Sequence, residues 1–158
     1  MGKDSVIAIE ALPQSLRPGG RLLGLDVGSK TIGLALSDTT RAVATPLTTI
    51  KRTKFTKDAV ELSEIIENHE ISALVIGLPL NMDGSEGPQA QSVRAFARNL
   101  SSHVSLPVAF WDERLSTAAA ERTLLEADAS RKRRGEVIDK MAAAIILQGA
   151  LDRLKGLA

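Results

Sequence analysis

The stretch from residue 24 to residue 38, GLDVGSKTIGLALSD, constrains the fold most, because it predicts two strands joined by a tight turn. In the first strand, leucines alternate with Gly24 and Asp26, so the acid ends the strand on a face lined by glycine. Gly28 permits the turn, and apolar and small residues alternate again over 32–37. We expect the small residues to leave open space beside Asp26. Such an acid indicates either a metal or phosphate site, or only the start of a turn.

Composition narrows the class of protein. The 158 residues predict one domain, and a net charge of +1 means that any nucleic-acid binding depends on local basic patches. The chain has no cysteine, which excludes disulfides and thiolate metal sites. No apolar run approaches the ~20 residues of a membrane helix, so we expect a cytoplasmic protein without membrane contact. Residues 1–20, ending in RPGG, are expected to form a semi-ordered extension before a single domain at 21–158.

Three further segments, at 46–51, 73–76 and 107–111, have the apolar or β-branched composition of strands. The first joins the hairpin in an antiparallel meander, whereas the other two alternate with helices and should run parallel to the first strand. The chain is therefore predicted to be an α/β protein with a mixed five-stranded sheet flanked by helices. The carboxyl ends of its parallel strands share one edge, where ligands of such sheets bind.

Acidic residues lie at this predicted edge, where the carboxyl ends of the parallel strands meet. Asp26 and Glu113 each lie at a strand end, and Asp139 lies near the start of a last helix, whose N-terminus would favour the ionised carboxylate. That helix is predicted to pack through a stripe of apolar residues: Ile138, Met141, Ala142 and Ile145. Oxygen ligands without cysteine or a histidine cluster favour a hard ion, Mg²⁺ or Mn²⁺, and such an ion suits phosphodiester hydrolysis.

Four motifs occur in a fixed order: GLDVGSKTIGLALSD at 24–38, VIGLPLNMDGSEG at 75–87, DERLST at 112–117 and IDKMAA at 138–143. With them the chain resembles the YqgF family, also called RuvX, of the RNase H-like superfamily, from about residue 21 to residue 154. The resemblance implies an RNase H-like fold and a metal-dependent nuclease whose catalytic metal ligands are Asp26, Glu113 and Asp139.

The family is associated with maturation of the 5′ end of pre-16S ribosomal RNA, so the resemblance implies structured RNA as the partner. Cleavage of four-way DNA junctions is the alternative, and a protein that binds nucleic acid without cutting it is a third reading. Actin-like ATPases and sugar kinases use a similar hairpin, but they need a second such domain, which 158 residues cannot supply. Whether the chain forms a homodimer stays open.

Several cations are candidate contacts for nucleic acid: Lys30, Arg114, Arg131, Lys132, Arg133 and Arg134. Lys30 stands where many family members carry arginine. The run at 131–134 is expected to be a basic loop, which either is solvated or guides a strand toward Asp139. The loop at 78–89 is expected to be a mobile lid. A fourth acidic ligand is left open among three candidates: Asp38, Asp112 and Glu136.

Overall fold

The computed structural model describes residues 6–115 and 131–157, and in the second range it describes side chains from residue 137. The strands are β1 (Val6–Ile7), β2 (Arg21–Val27), β3 (Thr31–Ser37), β4 (Ala44–Lys51), β5 (Ile71–Leu78) and β6 (Val108–Asp112). The α-helices of this part of the chain are α1 (Phe55–Asn68), α2 (Pro88–Ser101) and α3 (Arg131–Leu157). Short 3-10 helices span Ile9–Ser15 and Glu113–Leu115.

All six strands belong to one mixed sheet, in the order β1-β6-β5-β2-β3-β4. The β2–β3 and β3–β4 pairs are antiparallel, and the β2–β5, β5–β6 and β1–β6 pairs are parallel. The predicted meander followed by parallel strands is therefore confirmed. The predicted number of strands is wrong by one, because β1, in the N-terminal extension, pairs with the outer side of β6. Two residues are too short a segment to show a strand period.

The described part of the N-terminal extension packs against the domain. Ile9 and Leu12 are buried among residues of the sheet and of α3. At the surface, Arg153 of α3 forms an ion pair with Glu10 at 3.3 Å. From residue 6 onward, the segment expected to be semi-ordered therefore contributes side chains to the core.

The two faces of the sheet carry different residues because the strands alternate. Leucine and isoleucine side chains of β2, β3 and β5 cover one face and pack against α1 and α2. The other face is lined mainly by small residues and packs against α3. A Cβ atom at Gly24 would lie 2.7 Å from Cβ of Leu147, and one at Gly33 would lie 2.0 Å from the main-chain oxygen of Asp139. The small residues therefore seat α3 on the sheet, and at Gly24 and Gly33 they do not leave the open space expected from the sequence.

Helix α3 begins earlier than the sequence predicts. The run 131–134 is its first turn and not a loop, because arginine and lysine are good helix formers and Gly135 alone does not break the helix. Asp139 consequently lies about two turns into α3, beyond the reach of the helix N-terminus that was expected to favour its ionised form. Within the described ranges, no helix is both long and apolar enough to cross a bilayer.

The buried stripe of α3 is also shifted from the predicted one. Ile138 and Ala142 are buried as predicted, whereas Met141 and Ile145 are only partly covered. The remaining buried positions are Ala143, Ile146, Leu147, Ala150 and Leu151. The stripe rotates because α3 crosses the sheet obliquely, from β3 near Asp139 toward β6, where Gly149 lies against the ring of Trp111.

Candidate active site

One edge of the sheet collects the carboxyl ends of three parallel strands. Asp26 is the penultimate residue of β2, Leu78 ends β5, and Glu113 follows directly after β6. Since β2, β5 and β6 are neighbours in the sheet, the two acids lie at the same edge, separated by one strand. The edge predicted from the sequence is therefore the edge on which these acids lie.

Asp26 is almost fully buried, with 8% of its surface exposed. It pairs with Gly33 across the β2–β3 ladder, and the β2–β5 register, continued one residue past Leu25 and Ile76, places it beside Gly77. By strand alternation it points to the same face as Gly24, the face that α3 covers. A carboxylate thus stands between two glycine positions, where no neighbouring Cβ atoms crowd it.

Glu113 reaches back over β5. A Cβ atom at Gly77 would lie only 2.8 Å from Oε2 of Glu113, so the carboxylate occupies the position where residue 77 would otherwise carry a side chain. Because Gly77 adjoins Asp26 in the sheet, the Glu113 carboxylate and Asp26 are neighbours on one face. Gly77 therefore leaves room both for Glu113 and for the side chain of Ile146, whose Cδ1 would lie 2.6 Å from such a Cβ atom.

Asp139 comes from the other side of Asp26. Its main chain packs directly on Gly33, the cross-strand partner of Asp26. Its Oδ2 accepts a hydrogen bond of 2.5 Å from Oγ1 of Thr31, the first residue of β3. The sequence reasoning missed Thr31, although its place after the turn at the edge could have indicated a residue that orients an acid. The three acids therefore lie over or on three adjacent strands: Glu113 over β5, Asp26 on β2 and Asp139 over β3.

The donor set fits a hard divalent ion in its chemistry, since it consists of carboxylate oxygens. Over residues 6–115 and 131–157, however, no three acidic or histidine side chains are close enough to hold one ion together. One of the Asp139 oxygens is engaged by Thr31. The role of Asp26, Glu113 and Asp139 as metal ligands stays a prediction, and it requires the carboxylates to draw together around the ion.

Two of the three candidates for a fourth acid serve other contacts. Asp38 follows β3 at the opposite edge and accepts hydrogen bonds from the main-chain N–H groups of Ala42 and Val43 and from the Thr40 hydroxyl. These bonds hold the pKa of Asp38 far below its usual range. Asp112 is paired with Arg114, and its pKa is lowered by that pairing. The Glu136 side chain lies outside the described part of the structure.

Of the predicted nucleic-acid contacts, Lys30 is exposed in the β2–β3 turn. Arg114 instead has protein partners. Its guanidinium binds both carboxylate oxygens of Asp112, with the shortest distance 2.7 Å, and its Nη1 donates to the main-chain oxygen of Met82 at 3.1 Å. The side chains of Arg131, Lys132, Arg133 and Arg134 lie outside the described part of the structure.

The loop that Arg114 contacts runs over residues 79–87, between β5 and α2. Its tip is internally bonded: Asn81 N–H donates to the Ser85 oxygen at 2.9 Å, and Gly84 N–H donates to the Asn81 oxygen at 2.8 Å. At its far end Glu86 forms an ion pair with Arg94 of α2 at 2.7 Å. The segment expected to be a mobile lid is thus a loop with internal hydrogen bonds, joined to the end of β6 by Arg114, and its mobility without substrate stays a prediction.

We expect Arg114→Ala to loosen this loop without unfolding the domain. The variant loses the bond to Met82 and leaves Asp112 without its guanidinium, whereas the bonds within 81–85 remain. Hydrogen–deuterium exchange at residues 81–85 should accelerate several-fold, and exchange in β2 and β5 should not change. Arg98→Ala, an exposed position on α2, is the matched control. Unchanged exchange in Arg114→Ala would mean that the internal bonds alone order the loop.

Comparison with known proteins identifies the family to which this chain belongs. The model of the family RuvX, described as Holliday junction resolvase, matches residues 20–153. The chain belongs to the RuvX family. A RuvX relative from Methylocella silvestris is 59% identical over 95% of this chain and 93% of its own, and one from Cereibacter sphaeroides is 63% identical over 92% and 91%. Both carry the name "Putative pre-16S rRNA nuclease".

Solved structures share the fold of this RuvX chain at low identity. Thermus thermophilus RuvC in complex with Holliday junction substrate superposes with a TM-score of 0.55 at 15% identity, over 88% of this chain and 98% of RuvC. The yeast mitochondrial Holliday junction resolvase Ydc2 gives 0.50 at 12% identity, over 94% and 85%. These likenesses confirm the predicted RNase H-like fold. The family model starts at residue 20, so the N-terminal extension lies almost entirely outside the region it matches.

Proposed function

We propose that this chain is a metal-dependent nuclease that hydrolyses phosphodiester bonds in structured RNA, and that it processes the 5′ end of pre-16S ribosomal RNA in the cytoplasm. The observation that carries the proposal is the placement of Asp26, Glu113 and Asp139 at one edge and on one face of the sheet. The names of relatives near 60% identity support the RNA substrate.

Each acid has a distinct means of being held. Burial and the two strand pairings fix Asp26, the absent side chain at Gly77 admits Glu113, and the Thr31 hydroxyl orients Asp139. Bound Mg²⁺ or Mn²⁺ would polarise a phosphoryl oxygen and lower the pKa of the attacking water. Each of the three carboxylates can supply oxygen ligands to such an ion, whose charge would offset their mutual repulsion.

A four-way DNA junction is the second candidate substrate. The family description and the fold shared with junction resolvases favour it. A direct assay separates the two: the purified protein is incubated with Mg²⁺ or Mn²⁺ and a precursor 16S RNA fragment, a four-way DNA junction or a linear duplex of equal length. We expect cleavage of the RNA at the precursor segment. Cleavage of the junction alone would mean that the substrate is branched DNA and not RNA. Binding without cleavage of either substrate would mean that the protein binds nucleic acid but is not a nuclease.

The three acids should behave as one unit. Asp26→Asn and Asp139→Asn are each expected to remove most of the cleavage activity, and the double variant should be barely worse than either, because residues of a shared site lose activity non-additively. Single-turnover rates on the cleaved substrate measure this. If the two losses multiplied, the acids would be acting independently and a common metal site would be wrong.

A further inference from the structure

The last residue of β4, Lys51, lies directly beside the candidate site. It pairs with Thr31 across the β3–β4 ladder, and partners in such a pair point to the same face with Cβ atoms about 5 Å apart. Thr31 is the residue that donates to Asp139. Lys51 is exposed on an edge strand, so its ammonium group stands at the open side of the three-acid edge.

The chain after Lys51 keeps further cations at this edge. Arg52 N–H donates to the main-chain oxygen of Lys30 at 2.9 Å, and its guanidinium donates to that of Gly28 at 2.7 Å. Arg52 therefore holds the β2–β3 turn against the end of β4, which brings exposed Lys30 beside the strand end that carries exposed Lys51, and exposed Lys54 follows three residues later. Lys54 is the N-cap residue of α1.

The nearest acid in the sequence does not neutralise this group. Asp58 is 2% exposed, and its Oδ1 accepts hydrogen bonds from the N–H group and the hydroxyl of Thr53, so its carboxylate is buried against the segment that precedes α1. Among the ion pairs of the described residues, none involves Lys30, Lys51 or Lys54. A protein of net charge +1 thus concentrates cations on one side of its acidic edge.

We propose that Lys51 and Lys54, together with Lys30, form a phosphate track that binds the backbone of the nucleic-acid strand entering the site from the Asp139 side. The inference rests on the proposed function, because it takes the three-acid edge as the place of cleavage. Exposed lysines at the end of β4, in the adjoining turn and at the start of α1 suit phosphates, and phosphate contacts position a strand without reading its sequence. The two bonds of Arg52 fix the main chain of the turn that carries Lys30.

The test is a pair of matched double variants of the full chain. Lys51→Gln with Lys54→Gln removes two charges from the track. Arg98→Gln with Lys155→Gln removes two exposed charges elsewhere, and Lys155 lies about 24 Å further along α3 than Asp139. Binding of a labelled RNA hairpin with a single-stranded 5′ extension is measured by anisotropy over a range of salt concentrations, once in EDTA and once in Ca²⁺.

We expect the track variant to bind tenfold or more weakly at about 0.1 M salt, and its plot of log affinity against log salt to flatten by roughly 1.4 to 1.8, for two lost contacts. The control variant should bind like the wild type. Equal affinity and slope in both variants would overturn the track, whatever the wild type cleaves. A wild type that binds through the track but cuts neither RNA nor DNA would keep the track and refute the nuclease. Binding of no probe by the wild type would overturn both.

Discussion

Asp26→Asn should lower the rate of cleavage by roughly 100-fold or more while leaving the protein folded. Asparagine keeps the size of the side chain but removes the charge that would hold a divalent ion, and such an ion contributes several kcal/mol of charge stabilisation, at about 1.4 kcal/mol per tenfold in rate. The melting temperature should change little, because asparagine keeps the size of the side chain and its polar atoms can form hydrogen bonds in place of the carboxylate. Single-turnover cleavage and thermal unfolding of the same preparation give both quantities.

Asp152→Asn is the matched control for this variant. Asp152 is an exposed acid near the end of α3 that accepts a hydrogen bond from Gln148, and asparagine can accept the same bond. Its cleavage rate should equal that of the wild type. If a folded Asp26→Asn protein cleaved at the wild-type rate, Asp26 would not be a metal ligand. The proposed site would then lack the acid that lies between Glu113 and Asp139.

Gly33→Ala should destabilise the domain by about 3 kcal/mol or more. The added Cβ atom would meet the main-chain oxygen of Asp139 at 2.0 Å, and a helix backbone cannot move aside as a flexible side chain can. Relief requires α3 to lift from β3, which also carries Asp139 away from Asp26. For a domain of this size we expect the melting temperature to fall by roughly 6 to 12 °C, together with a loss of cleavage.

Gly156→Ala is the control for added bulk. A Cβ atom at Gly156 meets nothing within 4 Å, and alanine is the better helix former, so the melting temperature should not fall. If Gly33→Ala were as stable as Gly156→Ala, α3 could not be seated on β3 as closely as the structure has it. The placement of Asp139 would then need revision.

The sequence predicted the architecture where periodicity is strong. The alternation around Asp26 indicated β2 and β3, and the continuous apolar run at 73–76 indicated the buried strand β5. Topology rules then placed the carboxyl ends of the parallel strands at one edge. The acids at that edge followed because strand ends are readable from the change between apolar and polar residues.

The parts that could not be predicted depend on contacts distant in sequence. Strand β1 forms because the outer side of β6 has no other strand of the described residues to pair with. A segment of two residues is too short for its sequence to predict this pairing. The start of α3 was misplaced because a run of cations is compatible with both a loop and a helical turn. The contact between the 79–87 loop and Arg114 joins residues some thirty positions apart, which no local pattern of glycines and polar residues could predict.

Within the candidate site, the identity of the acids was easier to predict than their support. Thr31 orients Asp139 across more than one hundred residues of sequence, and no local pattern links the two. Gly77 was interpreted as the end of a strand, and the structure adds that it leaves room for Glu113 and for Ile146 of α3. The role of a glycine of this kind cannot be predicted from the sequence until the residue that packs into the space beside it is known.

The packing of α3 on Gly33 also determines when, during protein synthesis, all three acids can come together at the carboxyl ends of the strands. Asp26 and its hairpin leave the ribosome early, Glu113 follows, and Asp139 comes within the last structural element of the chain. Because N-terminal parts emerge first, a growing chain carries the hairpin and the cation-bearing β4 before it carries the third acid. A chain that has not yet reached α3 therefore carries the proposed phosphate contacts Lys30 and Lys51 but lacks the third proposed metal ligand.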